Sequence, residues 1–174
     1  PLPWTDIDGW RNLREKTQLP LIMHNPQLGG MHEVLQRVAD IYMVGGRIGD
    51  TMKKGFAYGQ ANIQTLLQQS GNTLMKAFTL HQAAVLPTAT AHIITLDDQY
   101  EDDITTTQLF PTEGFCRVPE GPGLGVDVDE EKLKQATERN HIPKLDIIGV
   151  LQLPNGRKYY TRGEPKVETL TGFE

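Results

Sequence analysis

The sequence predicts an α/β fold: a parallel sheet assembled from successive strand–helix units, followed by a β-hairpin. Three observations predict it. Short apolar runs at residues 19–23, 40–44 and 63–67 alternate with longer segments whose apolar side chains recur at helical spacing. Those runs do not alternate apolar with polar, which suits strands covered on both faces, as in a parallel sheet. Near the end, Asn155-Gly156 lies between the apolar runs 147–153 and 158–161, a strong tight-turn signal.

Each element has a local reason. Thr5-Asp6 caps a first helix in which Ile7, Trp10 and Leu13 make one apolar stripe, and which ends before Thr17. The strand at 19–23 leads to an Asn25-Pro26 turn, after which residues 29–38 read as a helix with Met31, Val34, Leu35 and Val38 on one side. The strand at 40–44 stops at Gly45-Gly46, and a helix over 48–60 comes next, with Met52 and Phe56 one turn apart. After the strand at 63–67, Asn72 caps a helix carrying Leu74, Phe78, His81 and Val85 at helical spacing. Strands alternating with helices of this length imply right-handed crossovers.

Residues 92–96 read as one more short strand. The acidic run from Asp97 to Asp103 reads as a solvated loop at its exit, because it lacks the glycine and terminal glutamate of a calcium-binding helix–loop–helix loop. Pro111, Pro119 and Pro122 then punctuate an irregular segment. A last helix opens at Asp127, with Asp127 and Glu130 at capping-box spacing and Lys134 and Arg139 further along, as the helix dipole favours.

A chain of 174 residues with 38% hydrophobic content is expected to form one domain with a real core. A net charge of −5 argues against a nucleic-acid surface, which needs clustered Lys and Arg. No apolar run approaches the roughly 18 residues that span a bilayer, so no membrane partner is expected. Pro1-Leu2-Pro3-Trp4 lacks the charged and apolar regions of a signal peptide. The single cysteine, Cys116, forms no internal disulfide and fits a reducing compartment, so a cytoplasmic location is expected.

The segment from Val118 to Glu131, reading Val-Pro-Glu-Gly-Pro-Gly-Leu-Gly-Val-Asp-Val-Asp-Glu-Glu, resembles the end of a mandelate racemase/muconate lactonizing enzyme of the enolase superfamily. Pro1-Leu2-Pro3 is similar to the residues just past the metal-binding Glu at the end of that family's fifth barrel strand. Ala39-Asp40-Ile41 with Arg47-Ile48-Gly49 is similar to the seventh strand and its exit, and Leu80-His81-Gln82-Ala83-Ala84 to the helix after the eighth. The resemblance implies the C-terminal half of a TIM-like (β/α) barrel with a C-terminal β-hairpin extension. Residues 1–115 would be a partial barrel containing strands 6 to 8 with flanking helices. Residues 116–174 would be an extension of helix and hairpin that packs on the barrel and on an N-terminal cap.

The family holds Mg²⁺ with three carboxylates at strand ends and abstracts a proton beside a substrate carboxylate, giving a metal-stabilised enediolate. Acid-sugar dehydratases and racemases are the members this chain resembles. The positions that would carry this chemistry have changed. Where the family has its third ligand Glu, at the end of the sixth strand, this chain reads Met23-His24-Asn25, and imidazole suits zinc, nickel or iron better than magnesium. The dyad Asp falls at Val44 and the catalytic His near Gln69, and neither side chain can shuttle a proton near neutrality. The acid that closes over the substrate falls near Thr95, with Asp97 and Asp98 close by.

The resemblance therefore implies a site that keeps a pocket for a small carboxylate, with Asn25 and Asn72 as binding residues, while Mg²⁺-assisted catalysis is lost or incomplete within this chain. Two alternatives stand beside it. One is a non-catalytic binding or assembly protein on a barrel scaffold. The other is a rebuilt transition-metal site using His24, with His32 across the same turn. Gly45-Gly46 and Ser70-Gly71-Asn72 are read as tight strand–helix turns rather than phosphate cradles. Half a barrel leaves strand edges unpaired, so the expected partner is an N-terminal half or companion chain, or a second copy.

Overall fold

A computed structural model describes residues 2–27, 29, 31–100, 102–139, 149–153 and 155–161. The chain divides into two compact units, Pro1–Leu133 and Lys134–Glu174.

The first unit is a run of strand–helix units. Helix α1 (Ile7–Lys16) precedes strand β1 (Ile22–His24), helix α2 (Met31–Gln36), strand β2 (Ile41–Val44), helix α3 (Ile48–Gln60), strand β3 (Gln64–Leu67) and helix α4 (Thr73–Val85). The strands form one parallel sheet in the order β1-β2-β3, with Ile22 beside Ile41 and Ile41 beside Gln64. Ile94 adds a fourth parallel position, bridging Gln68 just past β3. Consecutive neighbours, all parallel and each separated by a helix, are the topology of a barrel wall.

Alternation assigns the two faces of this wall. Met23, Tyr42, Val44, Ile63 and Leu67 point to the helix side, where they pack with Val38, Ala39, Tyr58 and Leu86 in one buried cluster. The rings of Tyr42 and Tyr58 meet there at 5.0 Å between centroids, within the range of favourable aromatic pairs. Ile22, His24, Met43, Leu66, Gln68 and Ile94 belong to the opposite face, which in a closed barrel is the interior.

Several local expectations shift, each for a stated reason. The first strand begins at Ile22 rather than at residue 19, because Pro20 has no amide proton and the Leu21 amide donates to the Asp40 carboxylate at 2.9 Å. The second helix is shorter than residues 29–38, since Arg37 takes a left-handed φ of 45°. Its buried residue is Glu33, whereas Met31 and Leu35 are 59% and 72% exposed. Tyr42 sets that rotation by donating its hydroxyl to the Glu33 carbonyl at 2.8 Å. In α4 the buried residues include Thr73, Lys76, Ala77 and Leu80, while Val85 is exposed, because the irregular segment after Asp97 covers the Lys76 side.

The acidic run is solvated at Asp98, Gln99, Tyr100 and Asp102, as expected, but its two ends are built into the fold. Residues Asp97–Gln99 form one 3-10 turn, Asp97 pairs with Lys76, and Asp103 bonds the amide of Thr73. The last helix, α5 (Glu130–Glu138), starts later than Asp127. The Asp129 carboxylate accepts from the Lys132 amide at 3.1 Å, and the Asp127 carbonyl is already engaged by the Thr106 amide at 3.0 Å.

In the second unit, β4 (Gly149–Gln152) and β5 (Lys158–Thr161) pair antiparallel, with Gln152 opposite Lys158. Gly156 has φ of 81° and the Arg157 amide donates to the Asn155 side chain, which is the turn chemistry the Asn-Gly pair predicts. Residues 147–148, expected to begin this strand, lie outside the described residues.

Candidate functional site

The strand ends beyond β1, β2 and β3 lie side by side, so the residues just past them form one rim. His24 closes β1 and is exposed, with the next amide, Asn25, tied to the Met43 carbonyl at 2.9 Å. Its Nε2 lies 2.9 Å from the Oε1 of Gln68, forty-four residues later. The two side chains meet over β2, whose last large side chain on that face is Met43 and whose next position is Gly45. A Cβ added to Gly45 would overlap the Gln68 carbonyl oxygen, so only glycine fits.

The remaining positions singled out by the sequence occupy distinct places. Val44 is 2% exposed and belongs to the helix-side core, so it does not face His24. Gln69 is buried and donates its side-chain amide to the Gly46 carbonyl at 2.9 Å, bracing the turn after β2. Thr95 donates its hydroxyl to Asp97 at 2.6 Å. Asn25 is exposed with φ of 43°, and Asn72 stands at the N-cap of α4 without a side-chain cap bond. His32 is exposed on α2, and among the described residues it joins no group of three metal-ligating side chains with His24. His81 is half-buried against the Leu124 carbonyl at 3.2 Å.

Gln68, the partner of His24, is not among the sequence-derived candidates. Residues 64–69 read Gln-Thr-Leu-Leu-Gln-Gln, polar-apolar-polar on both faces, so the sequence alone carried no signal that favoured Gln68 over Gln69.

A second feature lies on the flank of the fourth parallel position. A cavity of about 920 Å³ is lined by Lys76, Leu80, Ile93, Thr95, Tyr100 and Phe115 among others. Lys76 forms an ion pair with Asp97 and also donates to the Leu109 carbonyl at 2.8 Å. Burial pushes the Asp97 carboxyl up, but the hydrogen bonds from Lys76 and Thr95 outweigh it and hold the group below its usual range. Asp103 behaves alike: burial raises it, while Thr73 and Thr105 bring it down further.

Among the described residues no three His, Cys, Asp or Glu side chains come together as a metal site. The donors that do meet at the rim are an imidazole and an amide, a set that does not fit the all-oxygen shell of Mg²⁺. No helix among the described residues is long and apolar enough to cross a membrane.

Comparison with known proteins agrees with this topology. Residues 1–132 match the Enolase C-terminal domain-like family, and the chain belongs to that family. It is 40% identical over 74 residues to chloromuconate cycloisomerase of Pseudomonas putida, a stretch that covers 42% of this chain and 19% of the relative. Its fold is similar to that of an N-succinyl Arg/Lys racemase from Bacillus cereus, with a TM-score of 0.68 and 23% identity, over 78% of this chain and 38% of the racemase. It is also similar to an enolase from Pseudomonas fluorescens with bound magnesium, potassium and tartrate, with a TM-score of 0.65 and 18% identity, over 80% of this chain and 35% of that protein. The chain thus spans well under half the length of these relatives. Its sheet is the C-terminal part of an enolase-superfamily barrel.

Proposed function

We propose that this chain is the C-terminal barrel portion of a protein that binds a small carboxylate at the strand ends, descended from acid-sugar dehydratases and racemases, and that Mg²⁺-assisted proton abstraction is lost from this segment. The observation that carries the reading is the His24–Gln68 contact. An imidazole held by an amide stands at the position where the resemblance expects a carboxylate ligand. Because Mg²⁺ demands oxygen donors in near-octahedral order, that replacement removes a ligand rather than retuning one.

Two further placements support it. Val44 faces the core, and the Gln69 amide is committed to the Gly46 carbonyl, so neither supplies an acid or base to the rim. The rim offers hydrogen bonding instead, with Asn25 exposed beside His24.

The test is titration of Mg²⁺ by calorimetry, together with proton NMR of a panel of sugar acids in D₂O. Weak or absent Mg²⁺ binding and no deuterium at the α-carbon are expected. Tight stoichiometric Mg²⁺ binding with α-proton exchange would show that the family chemistry persists.

A further inference from the structure

We propose that Gln68 is a positioning residue that fixes the tautomer of His24, so that the rim presents an unprotonated Nδ1. This rests on the reading of the strand ends as the binding site. In the orientation the structure assigns to Gln68 its amide oxygen faces Nε2 at 2.9 Å, and because that oxygen accepts but cannot donate, this orientation places the proton on Nε2. With that proton placed, neutral His24 carries its lone pair on Nδ1. The structure gives Nδ1 no hydrogen-bond partner among the described residues, and His24 is exposed.

Both ends of this contact are anchored by backbone ladders, which separates it from a passing surface contact. Behind His24, the Asn25 amide is bonded to Met43. Around Gln68, its own amide donates to the Val44 carbonyl at 2.9 Å, the Gln69 amide to the Ile94 carbonyl at 3.0 Å and the Ile94 amide to the Leu67 carbonyl at 3.0 Å. The Gln68 backbone is therefore clamped between β2 and the fourth parallel position. The two residues stand two strands apart, and Gln68 lies two residues beyond Leu66, the position level with His24, so the imidazole and the glutamine amide meet only by leaning toward each other. Gly45 lets the Gln68 backbone approach closely, since the Gln68 carbonyl oxygen occupies the place a Cβ on residue 45 would take.

The consequence is a chemical preference. A free Nδ1 lone pair accepts a hydrogen bond, so the rim favours a ligand that brings a donor, such as the hydroxyl of a hydroxy acid, over a bare carboxylate. The role is the same in kind as that of outer-shell groups that set which nitrogen of a histidine is available.

The experiment is long-range ¹H–¹⁵N correlation NMR of ¹⁵N-histidine-labelled protein with the imidazole neutral, His24 being assigned by the signal lost in His24→Gln. In the wild type, Nε2 is expected to be the protonated nitrogen and Nδ1 the bare one. Gln68→Ala should shift the tautomer ratio by about fivefold toward Nδ1–H, the effect of one net hydrogen bond, and Gln68→Glu, whose carboxylate is a stronger acceptor, should keep the proton on Nε2. A wild-type spectrum with the proton on Nδ1 overturns the proposal without any variant, and so does a ratio unmoved in a folded Gln68→Ala protein. If the tautomer is as expected but no hydroxy acid perturbs the His24 signals, the positioning role stands and the binding-site reading fails.

Discussion

The Asp103 carboxylate accepts a hydrogen bond from the Thr73 amide at 2.9 Å and, through its other oxygen, from the Thr105 amide at 3.0 Å and hydroxyl at 2.8 Å. It thereby caps α4 from thirty residues away, in place of the adjacent Asn72. Asp103→Ala is expected to cost about 1 to 2 kcal/mol, as loss of a helix cap does, read as a lowered urea midpoint. The pH dependence comes from the depressed carboxyl. Its contribution is complete above the unfolded value of 3.8 and is lost as pH falls through the lower folded value. Asp103→Asn should therefore flatten the acid limb of the stability profile below about pH 4, and an unchanged limb would count against the cap.

Lys76 also joins this segment to α4, through Asp97 and the Leu109 carbonyl. Its side chain is 10% exposed and that of Asp97 23%, so the pair is mostly removed from water. Removing one partner strands the other, and Lys76→Ala should destabilise by on the order of 2–3 kcal/mol. Lys76→Met paired with Asp97→Leu should recover much of that, since no charge is left buried. A double-mutant cycle on urea unfolding measures the coupling, and strict additivity would remove the ion pair from the account.

Asn155-Gly156 and the helix over residues 48–60 were legible in the sequence because each is decided locally, by turn chemistry or by a full-length helical pattern. Glu33 was not. Nothing nearby says that an acidic residue points inward while Met31 and Leu35 stay exposed, because the rotation of α2 is set by the hydroxyl of Tyr42, which arrives from another element. The rim was half legible for a related reason. Sequence order placed His24 at a strand end, but its partner came down to a single step of register, Gln68 on the site face against Gln69 on the core face. Asp97 and Asp103 read as solvent-facing because their partners, Lys76 and Thr73, lie on a helix the sequence could not dock.

Gly45 is the position where a small change should do most harm at the rim. A methyl group there would run into the Gln68 carbonyl oxygen, far inside contact distance, and the obstacle is backbone rather than a movable side chain. Gly45→Ala should push β2 and β3 apart at their ends and cost at least about 2 kcal/mol. Gly46→Ala meets no neighbouring atom but has φ of 93°, so its smaller cost comes from backbone strain alone. Chemical denaturation of the two variants ranks them, and equal costs would mean that close strand approach does not limit this turn.

The open edge of β1 makes a prediction about association. Among the described residues β1 pairs with β2 alone, Ile22 on it is 38% exposed, and Leu19 just before it is 74% exposed. In the irregular segment that lines the cavity, Phe110 and Phe115 are 71% and 82% exposed. Uncovered strand edges with apolar flanks pair with whatever polypeptide meets them. Residues 1–174 prepared alone should therefore self-associate with rising concentration in light scattering. Ile22→Lys at the edge and Phe115→Asp on the flank should each lower the apparent mass, the first because a charge on an edge strand opposes further pairing. If both leave the concentration dependence untouched, neither surface drives association.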